Sequence, residues 1–123
     1  RLCRDWSSDV CSSDLMSQAK VGDVYQVAIS HGEGRFHAQG EALNRLIDNG
    51  QIATQYVDLK GAVTMDGQYN INGSTYAIEG AFSPDGRVFG KMGHTERLSD
   101  GIYRNIPGRF DMPVFTSGVA YFK

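Results

Sequence analysis

The sequence predicts an α/β domain built on a mixed sheet, and two patterns carry that prediction. An amphipathic run at residues 41–49 lies between two apolar runs, 23–30 and 51–58. Strand, helix, strand is the order of a crossover connection between parallel strands. Further on, the short apolar runs 76–82 and 87–92 flank Ser83-Pro84-Asp85-Gly86. In that turn Pro presets φ and Gly supplies a position with φ > 0, so an antiparallel β-hairpin is expected. A parallel crossover and a hairpin together make the sheet mixed.

Composition bounds the function classes. The chain has 123 residues, 41% of them hydrophobic, and a net charge of −2. That is one domain or less, with no electrostatic case for nucleic acid or an anionic membrane surface. No apolar run approaches the roughly 18 residues of a spanning helix. Residues 1–15 differ from the rest: Ser-Ser-Asp occurs at 7–9 and again at 12–14, and the segment holds the single Trp and both cysteines. It has neither helical nor strand periodicity and lacks the continuous apolar segment of a signal peptide. It resembles translated adapter sequence, so residues 1–15 read as a non-native leader rather than a native arm, and 16–123 as the domain. Cys3 and Cys11 lack the further ligands of a zinc site and the helix N-terminus or cationic neighbour of a catalytic thiol. Neither is read as a nucleophile. The absence of Cys from 16–123 fits a reducing compartment, and a cytoplasmic protein is expected.

In chain order, 23–30 places apolar residues on both faces of an extended segment, Val24 and Ala28 against Tyr25, Val27 and Ile29, which predicts a largely buried strand. The next stretch, Ser30-His31-Gly32-Glu33-Gly34-Arg35, allows tight turns and close approach of a ligand. It reads either as a tight loop with a solvated Glu33–Arg35 pair or as the border of a site. His37 reads as a surface residue. In 41–49, Ala42, Leu43, Leu46 and Ile47 form one helical stripe, with Gly50 just past the end. In 51–58, Ile52, Thr54 and Tyr56 share one side. Residues 59–70 are a polar connection, and Asn70-Ile71-Asn72-Gly73-Ser74 is a turn in which Gly73 can go left-handed. After the hairpin, 98–108 is loop-like with Pro-Gly punctuation. Residues 113–122 predict a short terminal helix, Pro113 in its first turn and Val114, Phe115, Gly118, Val119 and Phe122 at helical spacing.

The chemistry concentrates where the hairpin ends, in Gly93-His94-Thr95-Glu96-Arg97. On extended backbone, residues two apart point to the same side. Glu96 can then accept a hydrogen bond from one His94 nitrogen, fix the tautomer and leave the other nitrogen as a base. That is two thirds of a nucleophile–base–orienter triad. The spacing alone equally describes a structural histidine beside a surface carboxylate.

A His-x-Glu leaving a strand resembles the His and Glu of the Cys-His-Glu triad in class I glutamine amidotransferases. Ser30-His31-Gly32-Glu33-Gly34-Arg35-Phe36, Gln55-Tyr56-Val57-Asp58, Asn70-Ile71-Asn72-Gly73-Ser74 and Gly93-His94-Thr95-Glu96-Arg97 come in the order found in the phosphoribosylformylglycinamidine synthase family. The resemblance runs from about Lys20 to the C-terminus. It departs at Ile71, where many relatives have Pro, and at Gly93 and Thr95, which flank the histidine where Pro is common.

The resemblance implies the C-terminal half of a flavodoxin-like class I amidotransferase domain. Met16 would then stand mid-domain rather than at an initiator, and the chain would be a piece of something longer. It further implies glutamine as substrate, His94 and Glu96 as catalytic, and His31, Glu33, Arg35 and Asn72 as residues shaping the pocket. No cofactor is implied in this chain. ATP and magnesium would serve a synthase domain, fused or a separate subunit, with the long fused form the expectation. The rivals are a glutaminase domain serving another acceptor, as in CTP or GMP synthases, and a non-catalytic α/β domain.

Overall fold

The computed structural model describes residues 15–99 and 101–123. The leader reading of 1–15, with Cys3 and Cys11, falls outside the described residues except for Leu15. Helix α1 spans Gly40–Asp48, with the acidic Glu41 in its first turn and Arg45 in its last, as the helix dipole favours. Gln39 is extended before it, and beyond it Asn49 N–H closes onto the Arg45 carbonyl at 3.0 Å. The expected stripe is present but only half-covered: Leu43, Leu46 and Ile47 are partly buried and Ala42 is exposed.

Three strands follow, β1 (Ile52–Gln55), β2 (Ile78–Phe82) and β3 (Phe89–Lys91), in the order β1-β2-β3. The fold is α/β as expected. Both strand pairings are antiparallel, however, with Gly80 opposite Lys91 and Phe82 opposite Phe89 in the hairpin. The parallel partner that would have made the sheet mixed is missing from the described ladder because 23–30 does not form a strand. That segment makes one isolated bridge, Ala28 to His94 just past β3, Tyr25 packs on the core beside the sheet, and Gln26 N–H reaches Arg109 O at 2.6 Å. Its two-sided apolar pattern is met differently. Val24, Val27 and Ile29 line a groove of about 340 Å³ with Tyr56, Val57 and Leu59 opposite, and Val24 stays 44% exposed.

The hairpin turn forms as expected, with Ser83 N–H bonded to Val88 O and Gly86 at φ 69°. Its first strand begins two residues later than the sequence indicated. Tyr76 and Ala77 take left-handed backbone, φ 55° and 54°, bending the chain out of the Asn70–Ser74 turn before β2. The second helix, α2 (Val114–Tyr121), starts one residue inside the predicted range, with Pro113 capping rather than opening it. Apart from Val114, the large residues of its apolar stripe do not form its buried face. Phe115, Val119 and Phe122 are exposed, whereas Ser117 is fully buried and its Oγ accepts from Gln18 N–H at 3.1 Å. The core gathers Met16, Ala53 and Phe82, flanked by Leu15, Ala19, Tyr25, Phe89, Met112 and Val114.

Candidate active site

His94 and Glu96 meet at the end of the hairpin. Nδ1 of His94 lies 2.6 Å from Oε1 of Glu96. An ionised carboxylate only accepts, so Nδ1 carries the proton and Nε2 of the neutral ring keeps its lone pair. Nε2 has no hydrogen-bond partner among the described residues. The His94 bond also holds the Glu96 carboxyl below its ordinary range. The pair forms by a different local geometry from the one the sequence indicated. His94 is extended (φ −98°, ψ 91°), but Thr95–Arg97 is a single 3-10 turn, and that turn swings Glu96 back onto the ring. Alternation along a strand plays no part.

The backbone beneath the histidine is held from several sides. His94 N–H donates to Ala28 O at 2.8 Å, and Met92 N–H to Glu79 O at 2.8 Å. Gly93 N–H donates to Oε1 of Glu79 at 2.7 Å. Lys91 Nζ lies 3.4 Å from the same oxygen and donates to Thr95 Oγ1 at 2.7 Å. The other Glu79 oxygen accepts from Thr54 Oγ1. Gly93 and Thr95, the two departures beside the histidine, therefore each make a bond that proline could not. Gly93 is also sterically committed: a Cβ there would stand 2.6 Å from Val27 Cγ2 and 3.0 Å from Glu79 Oε1.

Glu79 was not among the residues the sequence singled out. The available signal was a lone carboxylate within the apolar run Ile78-Glu79-Gly80-Ala81-Phe82, since carboxylates are almost never fully buried unless paired. It is 4% exposed. Beside it, burial and the Glu79 charge push the Tyr56 phenol up to about 12, against a lowering contribution from its bond to Ser74.

The remaining candidates divide. His31 Nδ1 lies 3.1 Å from Met92 O, which ties the 30–35 loop to the strand that delivers His94. Asn72 Nδ2 donates to Gly32 O at 2.5 Å and to Gly34 O at 2.8 Å, clamping that loop against the Asn70–Ser74 turn. The turn itself is closed by Asn70, whose amide bonds both Ser74 O and Ser74 N–H, with Gly73 at φ 69°. Glu33 and Arg35 are exposed, are not paired with each other, and make no polar contact with His94 or Glu96. His37 is exposed, as expected. The groove beside Tyr56 has Glu79 in its wall but neither His94 nor Glu96. Among the described residues no three His, Cys, Asp or Glu side chains gather as metal ligands, and no helix is long and apolar enough to cross a membrane.

Comparison with known proteins places the sequence in a family. The profile of the CobB/CobQ-like glutamine amidotransferase domain matches residues 6–122, a span that begins inside the segment read as a leader. The chain is 38% identical over 99 residues to the phosphoribosylformylglycinamidine synthase subunit PurQ of Chlorobium chlorochromatii, covering 80% of this chain and 42% of the relative. It is 41% identical over 90 residues to the PurQ subunit of Aquifex aeolicus, covering 73% and 39%. The PurQ subunit of Thermus thermophilus is 40% identical over 87 residues, covering 71% and 37%. The chain thus spans about two fifths of the length of these curated relatives. With nearly the whole sequence matched, this chain belongs to the CobB/CobQ-like glutamine amidotransferase domain family.

Proposed function

We propose that this chain carries the base and its orienter in a glutaminase, releasing ammonia from glutamine for phosphoribosylformylglycinamidine synthase in purine biosynthesis. The observation that carries the reading is the 2.6 Å His94–Glu96 pair at the exit of the hairpin. His94 Nε2 takes the proton of a cysteine thiol, and the thiolate attacks the glutamine carboxamide carbon. The imidazolium returns the proton to the departing ammonia, leaving a thioester that water then cleaves. Glu96 holds the ring in the Nδ1–H tautomer and stabilises the imidazolium. His31 and Asn72 shape the pocket wall through the loop they fix. The thiol comes from outside these residues, as does the synthase site with its ATP and magnesium. The relatives above are named as subunits, which favours a separate synthase subunit over the fused form that the sequence resemblance led us to expect. A cytoplasmic location accompanies this role.

The test is ammonia release from glutamine. The 123 residues alone should give none above background, because losing the nucleophile of such a triad costs about 10⁶ in turnover. The full-length protein should release ammonia, and His94→Ala should abolish it. Activity of the 123 residues alone that disappears in a Cys3→Ser/Cys11→Ser double variant would overturn the assignment of an external thiol.

A further inference from the structure

We propose that Glu79 and Lys91 form a largely buried positioning pair that aims His94 by gripping the residues on either side of it. The inference rests on the glutaminase reading for its kinetic consequences but not for its geometry. Glu79 lies on β2 and Lys91 on β3, with side chains only 5% and 11% exposed. An isolated buried ion pair adds little net stability, because desolvation offsets most of the attraction; holding a particular geometry is the better-attested use of buried polar groups. Here both carboxylate oxygens are occupied, one by Thr54 Oγ1 and the other by Gly93 N–H and Lys91 Nζ. The carboxylate cannot turn without breaking a bond.

From this anchor two arms reach the histidine's neighbours. The carboxylate holds Gly93 through its N–H at 2.7 Å, and the ammonium holds Thr95 through its hydroxyl at 2.7 Å. The His94 N–H itself is fixed to Ala28 O. Three consecutive residues are pinned, so the direction in which His94 leaves the backbone is set, yet neither Glu79 nor Lys91 bonds the imidazole. Thr95 also opens the 3-10 turn that returns Glu96 to the ring. Loosening Thr95 therefore disturbs both partners of the pair at once.

The experiment uses the full-length protein with Thr95→Val, Thr95→Ser, Lys91→Met and the Lys91→Met/Thr95→Val double variant. Valine keeps the shape of threonine and removes the hydroxyl, serine keeps the hydroxyl, and methionine keeps the lysine stem without its charge. Two quantities are read: the tautomer of the neutral His94 ring from its side-chain ¹⁵N shifts, and kcat separately from KM. Thr95→Val and Lys91→Met should each mix the tautomers and lower kcat about tenfold or more, since a 1 Å misplacement costs about a hundredfold. KM should change by no more than about twofold, because the pair does not touch substrate. Thr95→Ser should restore both quantities, and the double variant should be no worse than the weaker single, as expected of one connected unit. A lower melting temperature with tautomer and kcat unchanged would make the pair merely structural and overturn the proposal. Mixed tautomers in a protein that hydrolyses no glutamine even as wild type would sustain the positioning and sink the glutaminase reading. Unchanged tautomer and kcat, with activity still lost in His94→Ala, would do the reverse.

Discussion

Gly93→Ala tests how tightly the backbone that carries His94 is seated. The added methyl would stand 2.6 Å from Val27 Cγ2, 3.1 Å from Val27 Cβ and 3.0 Å from Glu79 Oε1. Carbon atoms pack at roughly 3.5–4.0 Å, so one contact overlaps by about 1 Å and something must move. Gly93 φ lies outside the positive range, so the backbone tolerates alanine and the penalty is steric. Inserting a methyl into a packed site costs typically about 1–3 kcal/mol. Val27 belongs to the groove-lining segment, held by few bonds, whereas Glu79 is anchored on both oxygens. The strand end carrying His94 and the Val27 segment should therefore part, weakening the Ala28–His94 bridge between them. Urea unfolding of the full-length protein should report the loss in stability. Amide exchange at His94, whose N–H bonds Ala28 O, should rise in parallel. Val27→Ala in the same background removes the closest atom and should recover much of the loss, a coupling of about 1 kcal/mol or more in the double-mutant cycle. Stability within about 0.5 kcal/mol of wild type for Gly93→Ala, the range of an ordinary surface change, would refute the close seating of Gly93.

Other consequences can be measured directly. The Tyr56 phenol is raised from 10.0 to about 12 in the folded chain, so its contribution to stability is complete below pH 10 and drains away as pH rises toward 12. Burial and Asp23 raise the Tyr25 phenol as well, so tyrosinate absorbance should show a late-titrating component that Tyr56→Phe diminishes, and the variant should lose less stability over that interval. Asn72→Ala deletes both bonds to the 32–34 backbone and should cost about 1–2 kcal/mol and speed proteolysis within the 30–35 loop; unchanged cleavage there would show that the clamp is not what holds it. The 123 residues expressed alone should self-associate through the groove, the outer edge of β1 and the exposed Phe115, Val119 and Phe122. A monodisperse monomer with a cooperative melt would contradict that expectation.

What could be read from the sequence was what is local. The hairpin was legible because Pro84 and Gly86 specify a turn between two short apolar runs, and α1 because its stripe and its stop lie within ten residues. The His94–Glu96 contact was legible as a pair and misread as to cause, since a 3-10 turn and a strand end both bring residues two apart within reach. The buried strand at 23–30 failed on partnership. Its alternation describes what its faces prefer, not which backbone lies beside it, and here Ala28 finds one bridge while Val24, Val27 and Ile29 face the groove. Glu79 escaped notice because Thr54, Lys91 and Gly93 converge on it only after folding. In α2 the helical spacing of the apolar residues was real, but the face that docks was chosen by Ser117 and its bond to Gln18.

That last bond bears on the order in which the molecule assembles. Gln18 and Ser117 are 99 positions apart, whereas Phe82 and Phe89, paired across the hairpin, are seven apart (89 − 82). Closing the longer loop costs roughly 2 kcal/mol more in chain entropy than closing the hairpin, from the logarithmic dependence on length. The hairpin can therefore zip early on its own contacts, while the seam joining the two ends of the described chain must wait for the intervening segments. Arg109 stacks over Tyr25 at 4.7 Å along that same seam, and its carbonyl receives Gln26 N–H. The Ala28 carbonyl that steadies His94 lies two residues beyond Gln26. The histidine's strand would thus be in place before its outer support, and the arrangement around His94 would mature only when the two ends of the described chain find each other. Stopped-flow refolding should show native-like hairpin protection in a phase that precedes the closing of the Gln18–Ser117 contact.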